Sequence, residues 1–230
     1  MVFLAKTKSP DEWKAVTSAI STLVDEATFE ATVEGLSFRG MDPSHVALID
    51  ISWPNSAFDG YECDSALKFG VRIDEFSKLM KRAEKKDAVE VSVEENSLLH
   101  IKILDGYKRE YKMRLIESTG GSTPLPKLNF NSKVILTPAS FDKILSDIEV
   151  VSEYISIESE EKKITFLGKS DYGEADIVIE SGSEGLEELQ VKEKSKATYS
   201  LDYLSKITKA ISASGGSLVL EYSTKMPLRL

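Results

Sequence analysis

Four short amphipathic segments recur along this chain, and each is followed by alternation of apolar and polar residues. They begin near Ser9, Ile73, Pro138 and Leu201. In the second segment the apolar residues share one helical face and the cations share the opposite face. The apolar set is Ile73, Phe76, Leu79, Met80 and Ala83, and the basic set is Lys78, Lys81, Arg82 and Lys85. Such segments predict helices that cover one face of antiparallel sheets, which is an α+β architecture.

The other three segments carry apolar stripes of the same kind. Ser9 is placed to cap the first helix, and Pro10 suits its first turn. The predicted inward residues are Trp13, Val16, Ile20 and Leu23 in the first segment, Phe141, Ile144, Leu145 and Ile148 in the third, and Leu201, Leu204 and Ile207 in the fourth. Each stripe needs a sheet to cover it, so four helices and several strands are expected.

Strand-like runs fill the intervals between these helices. They are residues 29–33, 36–39, 46–52, 66–71, 88–93, 98–104 and 109–116 in the first half, and 133–137, 151–157, 163–167, 174–179, 197–200 and 218–221 in the second. Residues 180–196 read as a charged loop, and residues 226–230 read as the start of another strand.

The chain divides at a segment that has no periodicity. Residues 117–127 read E-S-T-G-G-S-T-P-L-P-K, a composition typical of a linker. The sequence therefore predicts an N-terminal domain at 1–116, a linker at 117–130 and a C-terminal domain at 131–230. Each half holds two copies of the strand, helix and antiparallel-strand unit, and each copy needs a neighbour to bury its apolar face.

Composition excludes several classes of protein. The net charge is −9, so nucleic acid could meet only a local basic patch. Cys63 is the single cysteine, so neither an internal disulfide nor a cysteine metal cluster can form. No apolar run is long enough to span a membrane. We therefore expect a soluble intracellular protein with no membrane partner.

The sequence contains no recognisable catalytic constellation. His45 and His100 are the two histidines, and neither lies in a pattern with a nucleophilic serine or cysteine. Nucleophile-elbow, phosphate-loop and metal-ligand spacings are missing as well. We expect a protein that is not an enzyme and that needs no cofactor or metal.

The lysines opposite the apolar stripes have two interpretations. They could form an ordinary solvated helix face, or they could contact phosphates. Arginine, asparagine and glutamine, which read base edges, are scarce on these faces. Any contact with nucleic acid should therefore be independent of its sequence.

A family resemblance rests on several segments. Gly35 to Ser52 reads G-L-S-F-R-G-M-D-P-S-H-V-A-L-I-D-I-S, and F-D-G-Y-E-C-D follows at Phe58 to Asp64. With Leu201–Ala210 and Leu218–Leu230, these segments resemble the sliding clamps known as proliferating cell nuclear antigen, closest to archaeal forms. The resemblance extends over essentially the whole chain.

The resemblance implies a ring-forming DNA sliding clamp, or processivity factor, with two similar clamp domains in each subunit. A homotrimer is expected, although a ring of different subunits stays open. The ring would encircle double-stranded DNA and tether DNA polymerase, the clamp loader, flap endonuclease and DNA ligase, which act in replication and repair, through their peptide motifs. Its channel would be lined by Lys14, Lys78, Lys81, Arg82, Lys143, Lys206 and Lys209.

The resemblance also implies a peptide pocket and a subunit contact. The pocket would use Met41, His45, Val46, Leu48, Leu125 and Pro227, although Met41 and Val46 could be ordinary core. The subunit contact would join strand 109–116 to strand 174–179 of a neighbour through Tyr111, Met113, Ala175 and Ile177. Members of the family continue past a segment like 226–230 with a further strand and a tail. We therefore expect weaker peptide binding and a less stable domain junction in this chain than in a longer form.

One alternative function stays open at this point. A checkpoint-type clamp subunit, or a protein-binding scaffold that loads no DNA of its own, would suit the internal repeat and the acidic balance equally well. The expected location is the archaeal cytoplasm in association with the nucleoid, or the nucleus if the source is eukaryotic.

Overall fold

The protein forms two compact units, Met1–Pro124 (the first unit) and Leu125–Leu230 (the second unit). The computed structural model describes residues 3–94, 98–118, 124–125, 127–211 and 216–230. Within these residues each unit has two helices and two antiparallel sheets, which confirms the predicted α+β class. In the described residues no helix has both the length and the apolarity that crossing a membrane requires.

The first unit contains the first two helices and the first nine strands. They are β1 (Phe3–Thr7), α1 (Asp11–Ser21), β2 (Glu26–Thr32), β3 (Gly35–Met41), β4 (Leu48–Pro54), β5 (Gly60–Cys63), β6 (Leu67–Arg72), α2 (Ile73–Met80), β7 (Ala88–Val93), β8 (Leu98–Leu104) and β9 (Lys108–Arg114). One sheet has the order β5-β1-β7-β8-β9, and the other has the order β4-β3-β2-β6.

The second unit repeats this plan. Its elements are β10 (Ser132–Leu136), α3 (Pro138–Glu149), β11 (Tyr154–Glu160), β12 (Lys163–Ser170), β13 (Gly173–Glu180), β14 (Leu186–Val191), β15 (Ser195–Ser200), α4 (Leu201–Ile211) and β16 (Leu218–Tyr222). Its sheets have the orders β14-β10-β16 and β13-β12-β11-β15.

The two copies within each unit exchange strands. In the first unit β1 pairs with β7 and β2 pairs with β6, so the strand before each helix pairs with the strand after the other helix. The same reciprocal pairing joins β10 to β16 and β11 to β15 in the second unit. The predicted internal repeat is therefore present, and neither copy can complete its sheets alone.

The apolar stripes of α1 and α2 meet in the core of the first unit. The Trp13 ring lies 4.8 Å from the Trp53 ring and 5.8 Å from the Phe76 ring, measured between centroids. Trp13, Ile73 and Phe76 are almost fully buried, as the helical spacing predicted. Aromatic pairs at these separations add to the stabilisation that comes from buried apolar area.

The second unit has its own core, which is mostly aliphatic. Phe141, Leu145 and Ile148 of α3 have no exposed surface, and Leu201 of α4 is also buried. The Thr137 hydroxyl accepts a hydrogen bond from the Ser140 N–H at 3.1 Å, and Pro138 occupies the first turn. This cap and proline explain why the helix begins where the sequence predicted.

The predicted cap of the first helix and the predicted start of one strand are wrong for local reasons. The first helix begins at Asp11, because Pro10 is the capping residue and its carbonyl accepts the first helical hydrogen bond from Lys14. Strand β11 begins at Tyr154, since the Ser152 hydroxyl donates to the Lys169 carbonyl and holds the preceding residues in a turn.

Three strands were missed because their alternation is weak or short. Strand β1 lies in the apolar N-terminal stretch, β5 has only four residues, and β14 lies inside the predicted charged loop. In β14 the glutamates interrupt the alternation of apolar and polar residues, so the sequence pattern does not indicate a strand. Pairing with β10 nevertheless buries Leu186. Of the predicted strand at 226–230, Arg229 forms a single bridge with Glu221.

A lysine–glutamate cluster in the second unit predicts acid sensitivity. Glu158 of β11 accepts hydrogen bonds from Lys194 and Lys196, at nitrogen–oxygen distances of 2.8 Å and 3.2 Å. These bonds, that from Lys194 first, hold the pKa of the Glu158 carboxyl below its ordinary value of 4.5. A lowered folded-state pKa gives stability that is present above the unfolded pKa and is lost as pH falls through the folded pKa.

We expect the urea concentration at which half of the wild-type protein is unfolded to decrease as the pH is lowered from about 6 to about 3. The decrease should be smaller in Glu158→Gln. The matched control is Glu161→Gln, an exposed glutamate for which the described residues offer no ion pair. Equal pH dependence in wild type and Glu158→Gln would contradict this assignment.

Candidate nucleic-acid interface and docking surfaces

A pair of adjacent helices in each unit carries most of the predicted cations. Helix α1 packs beside α2, and α3 packs beside α4. Lys14 is half-buried, whereas the other predicted cations are exposed: Lys78, Lys81, Arg82, Lys143, Lys206 and Lys209. Because the apolar stripes face the sheets, the amino groups of the helical lysines Lys78, Lys143, Lys206 and Lys209 lie on the solvent side of the helices.

Two of these lysines form ion pairs along their own helices. Lys78 lies 3.0 Å from Asp74, and Lys206 lies 2.7 Å from Asp202, each pair one helical turn apart. The hydrogen bond from Lys78 lowers the pKa of the Asp74 carboxyl. Exposed pairs of this spacing contribute only about 0.3–0.5 kcal/mol. A phosphate could therefore replace the aspartate as the partner of either lysine at small cost.

The basic segment at residues 81–86, called here the basic turn, is not helical. Helix α2 ends at Met80, so the prediction that Lys81, Arg82 and Lys85 lie on its face is wrong. The N–H groups of Arg82 and Ala83 donate to carbonyls three residues earlier, which forms tighter turns than an α-helix. The cations remain exposed, but their positions are set by the turn and not by the helix.

A buried ion pair explains why the helix stops there. Asp87 is 2% exposed, and its carboxylate accepts from the Glu84 N–H at 2.7 Å and from the Arg109 guanidinium at 2.5 Å. Arg109 also donates to the Arg82 carbonyl at 2.9 Å. These tertiary bonds override the helical pattern and fix the basic turn. The sequence gives no signal for them, since Asp87 and Arg109 are far apart along the chain.

Asp42 organises the loop of the M-D-P-S-H-V motif, called here the Asp42 loop (residues 42–47). Its buried carboxylate accepts from the N–H groups of Ser44, Val46 and Ala47 at 2.9, 2.7 and 2.7 Å. His45 has a left-handed φ of 58°. Sequence reasoning did not single out Asp42, although an aspartate before proline and serine is a recognised turn signal.

The Asp42 loop presents apolar and aromatic groups to solvent. Val46 is 66% exposed, His45 is exposed, and Met41 and Leu48 are register partners in β3 and β4. Exposure of Val46 argues against its being ordinary core. In the second unit, Leu125 and Pro227 are both exposed. The joining of all six residues in one pocket stays a prediction.

The two strands predicted to meet between subunits are both sheet edges. Strand β9 ends the five-stranded sheet, and β13 ends a four-stranded sheet. Along β9, Tyr111 is half-buried and Met113 is 9% exposed, while Ala175 and Ile177 of β13 are half-buried. Unpaired edges of this length favour a pairing partner.

Two family sequence models match nearly the whole chain. They describe the N-terminal domain of proliferating cell nuclear antigen, matched at residues 2–117, and its C-terminal domain, matched at residues 124–230.

Named relatives are similar over the same length. The chain is 56% identical over 230 residues to the DNA polymerase sliding clamp of Nitrosopumilus maritimus and 55% identical to that of Cenarchaeum symbiosum. Each alignment covers 100% of this chain and 92% of the relative. The clamp of Thermofilum pendens is 34% identical over 231 residues, covering 99% of this chain and 92% of its own.

Solved structures share the fold. Proliferating cell nuclear antigen from Thermococcus kodakaraensis superposes with a TM-score of 0.94 at 23% identity, covering 99% of this chain and 92% of that one. A chain of the PCNA2–PCNA3 complex from Sulfolobus tokodaii gives a TM-score of 0.91 at 25% identity, covering 98% and 91%. The chain matches both domain models and is similar to named relatives over its full length. It therefore belongs to the proliferating cell nuclear antigen family.

Proposed function

We propose that this chain is a DNA polymerase sliding clamp, a non-catalytic ring that holds polymerase on duplex DNA. The observation that carries the proposal is its 56% identity, over its full length, to a protein named DNA polymerase sliding clamp. The fold supports it, because each unit has exposed lysines on its helices and sheets whose outer strands have a neighbouring strand on one side only.

The DNA-facing surface is proposed to consist of Lys14, Lys78, Lys81, Arg82, Lys143, Lys206 and Lys209. Lysine is a flexible point charge that suits phosphates and carries no sequence information by itself. A surface of this kind would let the ring slide, and its contact with DNA would weaken with added salt. The acidic remainder of the chain would discourage binding elsewhere.

Assembly is proposed as a homotrimer in which β9 of one copy meets β13 of the next. Tyr111 and Met113 would lie against Ala175 and Ile177. We also propose the domain limits 1–116 and 131–230, with residues 117–130 as the linker.

Partner proteins are proposed to dock through peptide motifs. The site would combine Met41, His45, Val46, Leu48, Leu125 and Pro227, and its users would be polymerase, the clamp loader, flap endonuclease and DNA ligase. The exposed Val46 supports this role, since the Asp42 loop holds it out at 66% exposure through three backbone hydrogen bonds.

Charge reversal at Lys78 of α2 and at Lys81 of the basic turn tests the DNA contact. Lys78→Glu with Lys81→Glu should shorten the products of clamp-dependent DNA synthesis, because two phosphate contacts become repulsive, and it should leave assembly intact. The magnitude of the slope of the logarithm of the DNA-binding constant against the logarithm of the salt concentration should decrease by the amount expected for the loss of about two phosphate contacts.

The matched control reverses two exposed lysines that lie outside the helices, Lys162→Glu with Lys192→Glu. This control should leave product length unchanged. Product lengths that are equal in wild type and in the Lys78 and Lys81 variant would show that the basic face is only solvated. Co-purification with two different clamp-like subunits would instead favour the checkpoint-type alternative.

A further inference from the structure

The start of the linker is hydrogen-bonded to the edge of the four-stranded sheet of the first unit. Strand β9 belongs to the five-stranded sheet, and two residues after its end Ile116 forms an antiparallel bridge with Gly70 of β6. The Ile116 N–H donates to the Gly70 carbonyl at 2.9 Å, and the Ser118 hydroxyl donates to the Lys68 carbonyl at 3.5 Å. Residues 116–118, called here the linker anchor, therefore lie along the outer side of β6.

The linker anchor approaches β6 more closely than a side chain at position 70 would allow. A Cβ atom there would lie 2.8 Å from the Ile116 carbonyl oxygen, 2.9 Å from the Ile116 Cγ1 and 3.1 Å from the Glu117 carbonyl oxygen. Carbon atoms in favourable contact lie about 3.5–4.0 Å from their neighbours. Two of the three obstructing atoms belong to the backbone, so a change of side-chain rotamer would not make room.

Strand β6 has no room to move away from the linker anchor. Phe69 and Val71 flank Gly70, point to the opposite face of the strand, and are 2% and 0% exposed. The Phe69 ring lies 5.6 Å from the Phe29 ring, which lies 5.8 Å from the Phe38 ring, measured between centroids. Because a close-packed core yields little, a side chain at position 70 would displace the linker anchor and not the strand.

The sheet that holds the linker anchor also holds the Asp42 loop. Its strand order is β4-β3-β2-β6, and the Asp42 loop joins β3 to β4. Neighbouring strands lie about 4.8 Å apart, so about 14 Å separates β3 from the linker anchor across the sheet. Both elements belong to the proposed peptide site, since the loop presents Val46 and the anchor begins the chain segment that leads to Leu125.

We propose that Gly70 is a positioning residue for partner peptides: it fixes where the linker begins relative to the Asp42 loop, on one shared sheet. This inference rests on the proposed peptide site and adds a residue that acts on that site only through the linker anchor. The physical basis is preorganisation. A linker that is held at its start has fewer conformations to lose when a peptide binds, so less free energy is needed to order it.

Gly70→Ala tests this role from the side of the sheet. It should weaken binding of a peptide that carries the clamp-binding motif of an archaeal DNA polymerase by about tenfold or more, measured by calorimetry, because the displaced anchor must be ordered on binding. The matched control is Gly60→Ala in β5, where a Cβ atom would meet the Lys6 side chain at 3.5 Å, an ordinary contact. The peptide affinity of this control should equal that of wild type.

Ile116→Pro tests the same role from the side of the linker. Proline has no N–H, so the hydrogen bond to the Gly70 carbonyl is lost while the sequence of β6 is unchanged. This variant should lose as much peptide affinity as Gly70→Ala, whereas Ile116→Ala, which keeps the N–H, should lose less. If Gly70→Ala fails to fold, Ile116→Pro decides by the same criterion.

Hydrogen exchange separates positioning from a general loss of stability. In the wild-type protein the Ile116 amide should be protected by its bond to Gly70, and the amides of β2 should be protected by the sheet. In Gly70→Ala the protection of the Ile116 amide should fall by about tenfold or more while β2 keeps its protection. A merely structural defect in β6 would instead lower the protection of both.

The outcomes separate this inference from the proposed function. A wild-type protein that does not bind the peptide would overturn the proposed docking site itself. Wild-type affinity in both Gly70→Ala and Ile116→Pro would overturn the positioning role of Gly70 alone. The same conclusion would follow if Gly60→Ala lost as much affinity as Gly70→Ala, or if the wild-type Ile116 amide exchanged as fast as that of an unfolded chain.

Discussion

Replacing Asp87 by alanine is expected to lower the free energy of unfolding of the first unit by about 3–5 kcal/mol. The carboxylate is almost fully buried and holds both the Arg109 guanidinium and the Glu84 N–H. Its removal leaves the arginine charge without its nearest partner and frees the basic turn, since Arg109 also holds the Arg82 carbonyl. Urea unfolding followed by tryptophan fluorescence measures the loss.

The matched control removes the second carboxylate that contacts Arg109. Asp105→Ala breaks an ion pair of 2.8 Å, but the side chain of this aspartate is 28% exposed, so we expect a loss below about 1 kcal/mol. If the two variants lost similar amounts of unfolding free energy, the burial of Asp87 would not make its ion pair more stabilising than the exposed one. If the basic turn meets DNA, Asp87→Ala should also shorten clamp-dependent products at temperatures where the variant stays folded.

Replacing Asp42 by alanine is expected to weaken binding of a partner peptide by about tenfold or more, while the trimer remains assembled. The carboxylate accepts three backbone N–H bonds, and bonds to a charged group contribute about 1.5–3 kcal/mol each. Without them the Asp42 loop would sample many conformations, so binding would have to order it first. Calorimetry with a polymerase-derived peptide measures the change.

Asp50→Ala provides the matched control for charge and location. Asp50 lies on β4 close to the loop in sequence, and its exposed carboxylate pairs with Arg39 at 2.9 Å. This variant removes the same charge without freeing the loop, so its affinity should stay near that of wild type. If Asp42→Ala and Asp50→Ala lost the same peptide affinity, the cause would be the removed negative charge and not the order of the loop.

Local periodicity predicted the helices and most of their buried residues. The spacing of Ile73, Phe76 and Met80 requires one helical face, and all three have no exposed surface. Alternation likewise predicted β7 and β8 with the bounds that the structure has. These patterns are readable because burial on one side of an element repeats with the period of that element.

Other features depend on residues that are distant in sequence. Strand β14 is recognisable only through its pairing with β10, and the end of α2 is set by Arg109 from β9. The ordering role of Asp42 depends on three backbone groups that no side-chain pattern reveals. The cations predicted to face DNA are exposed, apart from the half-buried Lys14, but their contact with DNA and the shared peptide pocket stay predictions.

The reciprocal strand exchange has a consequence for synthesis of the chain. Strand β1 leaves the ribosome first, but its partner β7 begins at Ala88, so one side of β1 has no partner until most of the first unit has been made. Contacts between residues so distant in sequence slow folding. The nascent first unit should therefore stay protease-sensitive until β7 emerges and then become protected in one cooperative step. The second unit should show the same delay between β10 and β16.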